Sequence, residues 1–300
     1  MLKNMSQIID VLNNNIFSYK EIFENSEIKL LNNDEFDINF IIGFRGRKEF
    51  LIPMINAFNK AADFYKNKFP NENKKFCLTL VEHSLTPENK EIIGDKANYI
   101  WTPGNKSEQY SRSFSYNFGV KYSNKAKYYI LHDLDILIKE NFFEEIYLNL
   151  KSECLQTYGK RRVLYMSQEL TNSVLSGDVD FNTFDENYPN INPPQILGSK
   201  GGSILVGHDL YYEVGGFDPE IFWGYAPEDQ LFWDKVQTIL GEIDYADNPP
   251  IDIFHMWHPP TLHHSNADYF PMEKCFYEFR AMNKKARMNF INLKKELFKD

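Results

Sequence analysis

The chain has 300 residues, 43% hydrophobic and 16% aromatic, enough to bury a full core as one large or two small domains and too apolar for disorder to dominate. A net charge of -9 argues against a nucleic-acid surface as the main partner. Three widely spaced cysteines, Cys77, Cys154 and Cys275, form no CxxC pair, which argues against a disulfide framework or a zinc–thiolate site.

Residues 1–36 carry two short helical patterns, Ile8-Ile9-Val11-Leu12 and Ile22-Phe23-Ile28-Leu30-Leu31, and read as a helical leader. Met1 to Ser6 do not open a signal peptide, and no window approaches the roughly 20 apolar residues of a membrane span. A cytoplasmic protein is expected, soluble or peripheral to the inner face of the membrane. Asp37 to Phe44 reads as a first strand ending in the polar turn Arg45-Gly46-Arg47. Phe50, Leu51, Met54, Ile55, Phe58, Ala61, Ala62 and Tyr65 then recur at helical spacing, a stripe that would face a sheet. Phe76–Glu82 and Asn98–Trp101 read as further strands, and Ser111–Tyr122 as a helix. Strands separated by helical patterns predict a doubly wound α/β sheet.

Tyr128 to Ile138 is an apolar run interrupted by His132, Asp133 and Asp135. Ligands of open α/β sheets gather outside the carboxyl ends of strands, so the Asp-x-Asp pair reads either as a polar turn or as a site for a hard divalent cation. Thr171 to Pro194 has no periodicity and reads as a long loop, a substrate lid or a surface excursion. Gly201 and Gly202 precede a strand, where absent side chains let a ligand approach the backbone. Pro227-Glu228-Asp229 reads as the first turn of a helix, its acids serving the helix end or, beside Trp223 and Tyr225, a sugar-binding floor. Four of the seven histidines, His255, His258, His263 and His264, fall within ten residues at the end of the last apolar strand, so His255 and His258 are candidate ligands completing a shell begun by carboxylates. The helical tail, residues 267–300, carries seven basic residues against Glu296 between Arg280 and Lys299, interleaved with Phe290, Leu293 and Leu297. That pattern suits a solvated face or a helix resting on anionic lipid.

Taken in order, these stretches resemble the GT-A glycosyltransferases, and within them the beta-1,4-galactosyltransferases and the bacterial chondroitin-polymerase-like enzymes, over residues 38–264. Ile41-Ile42-Gly43-Phe44-Arg45-Gly46-Arg47 is similar to the family's Ile-Ile-Pro-Phe-Arg-x-Arg turn, and Ser111-Arg112-Ser113 to its Asn-Arg-Ala helix. Asp133-Leu134-Asp135 resembles the DxD motif, Gly201-Gly202-Ser203 the Gly-Gly segment near the donor sugar, and Trp223 to Asp229 the Trp-Gly-x-x-x-Glu-Asp acceptor segment. The resemblance implies a Rossmann-like, mostly parallel sheet flanked by helices in residues 37–266, followed by the helical tail. It also implies a Mn2+- or Mg2+-dependent inverting hexosyltransferase that moves a sugar, galactose or N-acetylgalactosamine favoured, from a UDP-sugar to a glycan or glycolipid hydroxyl in surface polysaccharide or lipooligosaccharide synthesis. In that reading Asp135, His258 and His255 hold the metal, and Phe44, Arg45, Arg47, Arg112, Asp133, Gly201, Gly202 and Trp223 line the donor. Asp229 is the general base and Glu228 orients the acceptor. Two departures stand out: Gly43 replaces a proline, and Ala226-Pro227 replaces Gly-Gly in the acceptor segment. The alternatives are a phosphatase of the haloacid dehalogenase type, with Asp133 as nucleophile, and a non-catalytic nucleotide-sugar-binding subunit.

Overall fold

The computed structural model describes residues 8, 11, 18–104, 110–150, 161–192, 201–241, 250–259 and 268–299. Ile9 and Leu12 of the leader, Cys154, Pro193, Pro194, His263 and His264 lie outside them. In chain order the elements are α1 (Tyr19–Glu24), β1 (Glu27–Lys29), β2 (Phe36–Phe44), α2 (Leu51–Lys68), β3 (Phe76–Ser84), α3 (Lys90–Ile93), β4 (Asn98–Pro103), α4 (Arg112–Tyr122) and β5 (Ala126–Asp133). There follow β6 (Ile136–Ile138), α5 (Phe142–Asn149), β7 (Arg161–Met166), α6 (Gln168–Ser176), β8 (Ile191–Asn192), β9 (Ser203–Gly207), α7 (His208–Glu213), α8 (Glu228–Leu240), β10 (Ile251–His255), α9 (Tyr269–Ala281) and α10 (Lys284–Lys299).

The main sheet runs β1-β4-β3-β2-β5-β9, with β4, β3, β2 and β5 parallel and the two edge strands antiparallel. Its central strands are apolar on both faces because both are covered. Phe40, Ile42, Leu78, Leu80 and Ile130 face one core with the buried stripe of α2, and Ile41, Val81, Ile100 and Leu131 face another with Phe114 and Phe118 of α4. Helix α4 lies so close to the sheet that a Cβ on Gly43 would sit 2.5 Å from the Ser115 Cβ. That approach, inside a paired strand, accounts for glycine where the resembling enzymes carry proline. A mostly parallel, Rossmann-like central sheet flanked by helices, followed by a helical C-terminal region, is the GT-A architecture.

Three expectations change. The second leader pattern divides into α1 and β1, and β1 joins the main sheet beside β4 rather than extending a helix. The strand that leads to the acids ends at them as expected, at Asp133, and the chain then leaves the main sheet at Leu134-Asp135, where β6 enters a second sheet, β6-β10-β7-β8. The stretch from Thr171 is not a bare loop. Ser167 caps α6 by accepting from the Leu170 N–H, Gly177 ends it in the left-handed region, and Leu170, Val174, Phe181 and Phe184 reach the core. Too few residues repeat between the caps to show a period.

The tail supplies the third change, because much of its apolar side is already used. Phe276, Phe279 and Phe290 are buried with Ile221, Phe222 and Leu231, and Leu293 packs against them. Most of its cations also have partners within the protein: Lys295 meets Glu213 at 2.6 Å, Arg280 meets Asp234 at 3.3 Å, and Arg287 donates to the Arg280 carbonyl at 2.6 Å. Lys294 is buried and ion-pairs with Glu220, beside Asp218, which in turn lies 2.7 Å from the buried Lys235. The apolar side of the pattern read as lipid-facing is therefore turned inward, while Phe270 and Tyr277 of α9 stay exposed. No helix among the described residues is long and apolar enough to cross a membrane. Removing one partner of a buried ion pair strands the others, so Lys294→Ala should lower the unfolding free energy by about 3–5 kcal/mol. Urea denaturation followed by circular dichroism reads this, and a loss under about 1 kcal/mol would mean that the network is dispensable.

Candidate active site

The switch of sheets at Leu134-Asp135 builds the site. Asp133 closes β5, its N–H donating to the Gly202 carbonyl at 2.9 Å. Two residues on, β6 pairs antiparallel with β10 so that Ile136 faces His255, and the Asp135 carbonyl accepts from the Met256 N–H at 2.8 Å. The two carboxylates of the Asp-x-Asp pair therefore point to different tasks.

Asp135 belongs with the histidines. Ligand atoms of Asp135, His255 and His258 all lie within 4.8 Å of one another. His258 Nε2 is 3.1 Å from Asp135 Oδ2, and Arg47 donates to the same carboxylate while its second terminal nitrogen lies 3.3 Å from His258 Nδ1. Arg47 reaches this position from a left-handed turn, with φ 67° at Gly46 and 52° at Arg47. Burial acts to raise the Asp135 pKa, but the His258 hydrogen bond and the charges of His255 and Arg47 overrule it and hold the carboxyl well below its usual range. The hydrogen bond that His258 donates to Asp135 in turn raises the His258 pKa. One carboxylate and two imidazoles suit a divalent transition ion such as Mn2+ better than Mg2+, which prefers an all-oxygen shell.

Asp133 belongs with the acids of α8. Arg112, at the start of α4, spends its five N–H groups on three carboxylates: Nη1 on both oxygens of Asp133 at 3.0 and 2.7 Å, Nε and Nη2 on Glu228 Oε1 at 3.1 and 2.6 Å, and Nη2 on Asp229 Oδ2 at 2.5 Å. Desolvation works against the guanidinium charge, but the three carboxylates outweigh it and raise its pKa well above the ordinary value. One turn along α4, the buried Tyr116 hydroxyl donates to Asp133 Oδ1 at 2.8 Å. Burial, with the neighbouring Asp229 charge, pushes the Glu228 carboxyl up to about 7 against the pull of Arg112. Gly201 completes the cluster, since a Cβ there would fall 2.3 Å from Asp229 Oδ2.

The remaining predicted residues are dispersed. Phe44 is buried in the α2-side core. Arg45 lies past the end of β2, its Nη2 3.0 Å from where a Gly104 Cβ would be. Gly202 turns the chain into β9 with φ 84°. Trp223 packs on the tail cluster and its indole N–H donates to Asp268 at 3.3 Å, while Tyr225 is 49% exposed with its ring 6.1 Å from that of Tyr269. Two residues in the site escape a reading by motif. Tyr116 follows Arg112 by four, the spacing that puts both on one helix face, yet in sequence it is one more core aromatic. Tyr165 is the register partner of His255 in β7, its ring 4.8 Å away, and only the sheet pairing brings the two together.

His83, at the end of β3, is 7% exposed, and burial together with the Arg45 charge lowers its pKa from 6.5 to about 4. The unfolded chain therefore takes up this proton first, so the stability present above pH 6.5 is lost as the pH falls toward 4. His83→Phe should flatten the stability–pH curve in that window, as measured by urea midpoints; an unchanged slope would place the acid sensitivity elsewhere.

No protein-family model matches the chain, and no curated protein matches it. Among solved structures it is similar to the catalytic domain of Drosophila beta1,4galactosyltransferase 7 in complex with xylobiose, at 12% identity over 77% of this chain and 73% of that one, with a TM-score of 0.39. A mannosyltransferase from Pyrobaculum calidifontis, in complex with GDP-Man and Mn2+, is 9% identical over 98% of this chain and 84% of that one, with a TM-score of 0.47. The inositol-1-phosphate CTP transferase from T. maritima is 11% identical over 82% and 97%, with a TM-score of 0.37. All are distant in sequence and in superposition.

Proposed function

We propose that the protein is a metal-dependent, inverting glycosyltransferase that moves a hexose or N-acetylhexosamine from a UDP-sugar to a hydroxyl of a glycan acceptor. The observation that carries this reading is the carboxylate–imidazole cluster of Asp135, His255 and His258, with Asp133 of the same turn clamped through Arg112 to Glu228 and Asp229. A divalent ion held by Asp135, His255 and His258 would offset the charge that develops on a leaving diphosphate. Arg47, already beside that cluster, and Arg45 are the cations nearest to hand for the same phosphates. Asp229 is the base that takes the acceptor proton as the hydroxyl attacks the anomeric carbon from the face opposite the leaving group. Glu228 lies behind it, buried on Arg112, and in this reading orients the attacking pair through that guanidinium. Galactose or N-acetylgalactosamine remains the favoured sugar from the resemblance, and surface polysaccharide or lipooligosaccharide the favoured product.

The phosphatase alternative needs Asp133 as a nucleophile, whereas both of its oxygens face Arg112 and one also accepts from Tyr116. A screen of UDP-sugars for Mn2+-dependent UDP release, with and without glycan acceptors, tests the proposal. Release from one or two sugars that requires Mn2+ is expected. UDP binding with no turnover of any donor would instead indicate a nucleotide-sugar-binding subunit.

A further inference from the structure

The two most exposed aromatic side chains among the described residues, Phe270 at 62% and Tyr277 at 56%, both stand on α9. Seven residues, or two turns, separate them, which places them on one helix face about 10 Å apart along the axis. The first turn of α9 is fastened to the loop that leads into Glu228 and Asp229. The Trp223 N–H donates to the Met272 sulfur at 3.4 Å, and the Trp223 indole N–H to Asp268 at 3.3 Å. The Tyr225 ring lies 6.1 Å from that of Tyr269, which is 5.7 Å from the Phe270 ring. At the inner end, Tyr165 packs 4.8 Å from the His255 ring; its pKa is raised first by burial and then by Asp135 and Tyr225, so its hydroxyl lies near both. A line of rings therefore leads from the site, through Tyr165, Tyr225 and Tyr269, to the exposed face of α9.

Single exposed apolar side chains are normal on a protein surface, whereas a patch continuous with a site marks a binding surface. The chemistry around the rings selects what it binds. Asp268, Glu273 and Glu278 border the strip against Lys274, and Arg280 is turned toward Asp234. That acidic balance disfavours an anionic lipid surface, and a strip one or two side chains wide is narrow for a stable protein partner. A carbohydrate fits both features. One face of a sugar ring presents C–H groups that stack on an aromatic ring, while the hydroxyls on its rim donate to carboxylates. We infer that the exposed face of α9 holds the distal sugars of an extended acceptor, so that the substrate is an oligosaccharide or longer glycan rather than a single sugar. The inference rests on the transferase reading and narrows its acceptor to a chain. Rings this far along α9 act on acceptor binding and not on the donor or the chemical step.

Steady-state kinetics on the full chain, with the donor selected by the UDP-sugar screen, test this. The acceptor probes end in β-linked galactose, glucose or N-acetylglucosamine, each offered as the monosaccharide and as its di-, tri- and tetrasaccharide. The wild-type KM should fall about tenfold from monosaccharide to tetrasaccharide. Phe270→Ala and Tyr277→Ala should each raise the tetrasaccharide KM about three- to tenfold, and Phe270→Tyr should stay close to wild type. The monosaccharide KM, hydrolysis of the donor by water and UDP affinity should not change in any of the three, a split that a loss of structure does not give. A KM independent of acceptor length, or variants that weaken short and long acceptors equally, overturns the inference and leaves the transferase reading standing. So does unchanged acceptor kinetics in variants that lose binding to phosphatidylglycerol vesicles or lose self-association in sedimentation, which would assign the face to lipid or to a second copy. A chain that turns over no donor, with any acceptor or with water, overturns the transferase reading and the inference with it.

Discussion

Asp229→Asn is expected to lower transfer by about 10²- to 10⁴-fold and to leave UDP affinity within a few-fold of wild type. The amide keeps the shape of the carboxylate beside Arg112 and Gly201 and an oxygen that still accepts from the guanidinium, while it loses the charge of the ion pair and the capacity to take a proton. A loss confined to kcat, with donor binding intact, is what a base acting in the transition state gives. Glu228→Gln should behave differently. Its Oε1 holds two Arg112 donors and its carboxyl already sits near neutrality, so the amide should raise the acceptor KM more than it lowers kcat. Normal turnover by Asp229→Asn would move the base to another residue.

Asp135→Ala should abolish Mn2+-dependent UDP binding while leaving the chain folded. Asp135 sits at the turn between two sheets, where its backbone carbonyl bonds to Met256 and its side chain meets the site residues His255, His258 and Arg47. Removing that side chain leaves the β6–β10 pairing in place. His258→Ala should come close to the same loss and His255→Ala should be milder. Titration of each variant with UDP at several Mn2+ concentrations reads the effect. If His255→Ala does the greater damage, the two histidines exchange roles; if Asp135→Ala binds UDP with the same Mn2+ dependence as wild type, the metal assignment falls.

The central strands, α2, α4 and the start of α8 were legible because each is long enough to show a period or a cap. The candidate site was legible for a related reason: its carboxylates and histidines interrupt apolar runs at strand and helix ends, where a core has no use for them. What the sequence hides depends on pairing between distant segments. Nothing local shows that Ile136–Ile138 abandons the strand it appears to continue, since its partner, β10, lies more than a hundred residues away. Tyr165 becomes a neighbour of His255 only through that second sheet. Arg112 reads as a phosphate contact until α8 is folded against α4, and then its donors are seen to face Asp133, Glu228 and Asp229. Lys294 reads as one charge among seven on a surface helix, although it is buried against Glu220.

The stereochemistry of the product tests the central claim most directly. With the UDP-sugar that the donor screen identifies, the anomeric proton coupling of the newly formed sugar can be read by NMR during the first turnovers, on the glycan product or, with water as acceptor, on the released sugar before it equilibrates. A single in-line displacement assisted by Asp229 predicts a β configuration from the α-linked donor. An α product would contradict it and require a mechanism built around a different residue.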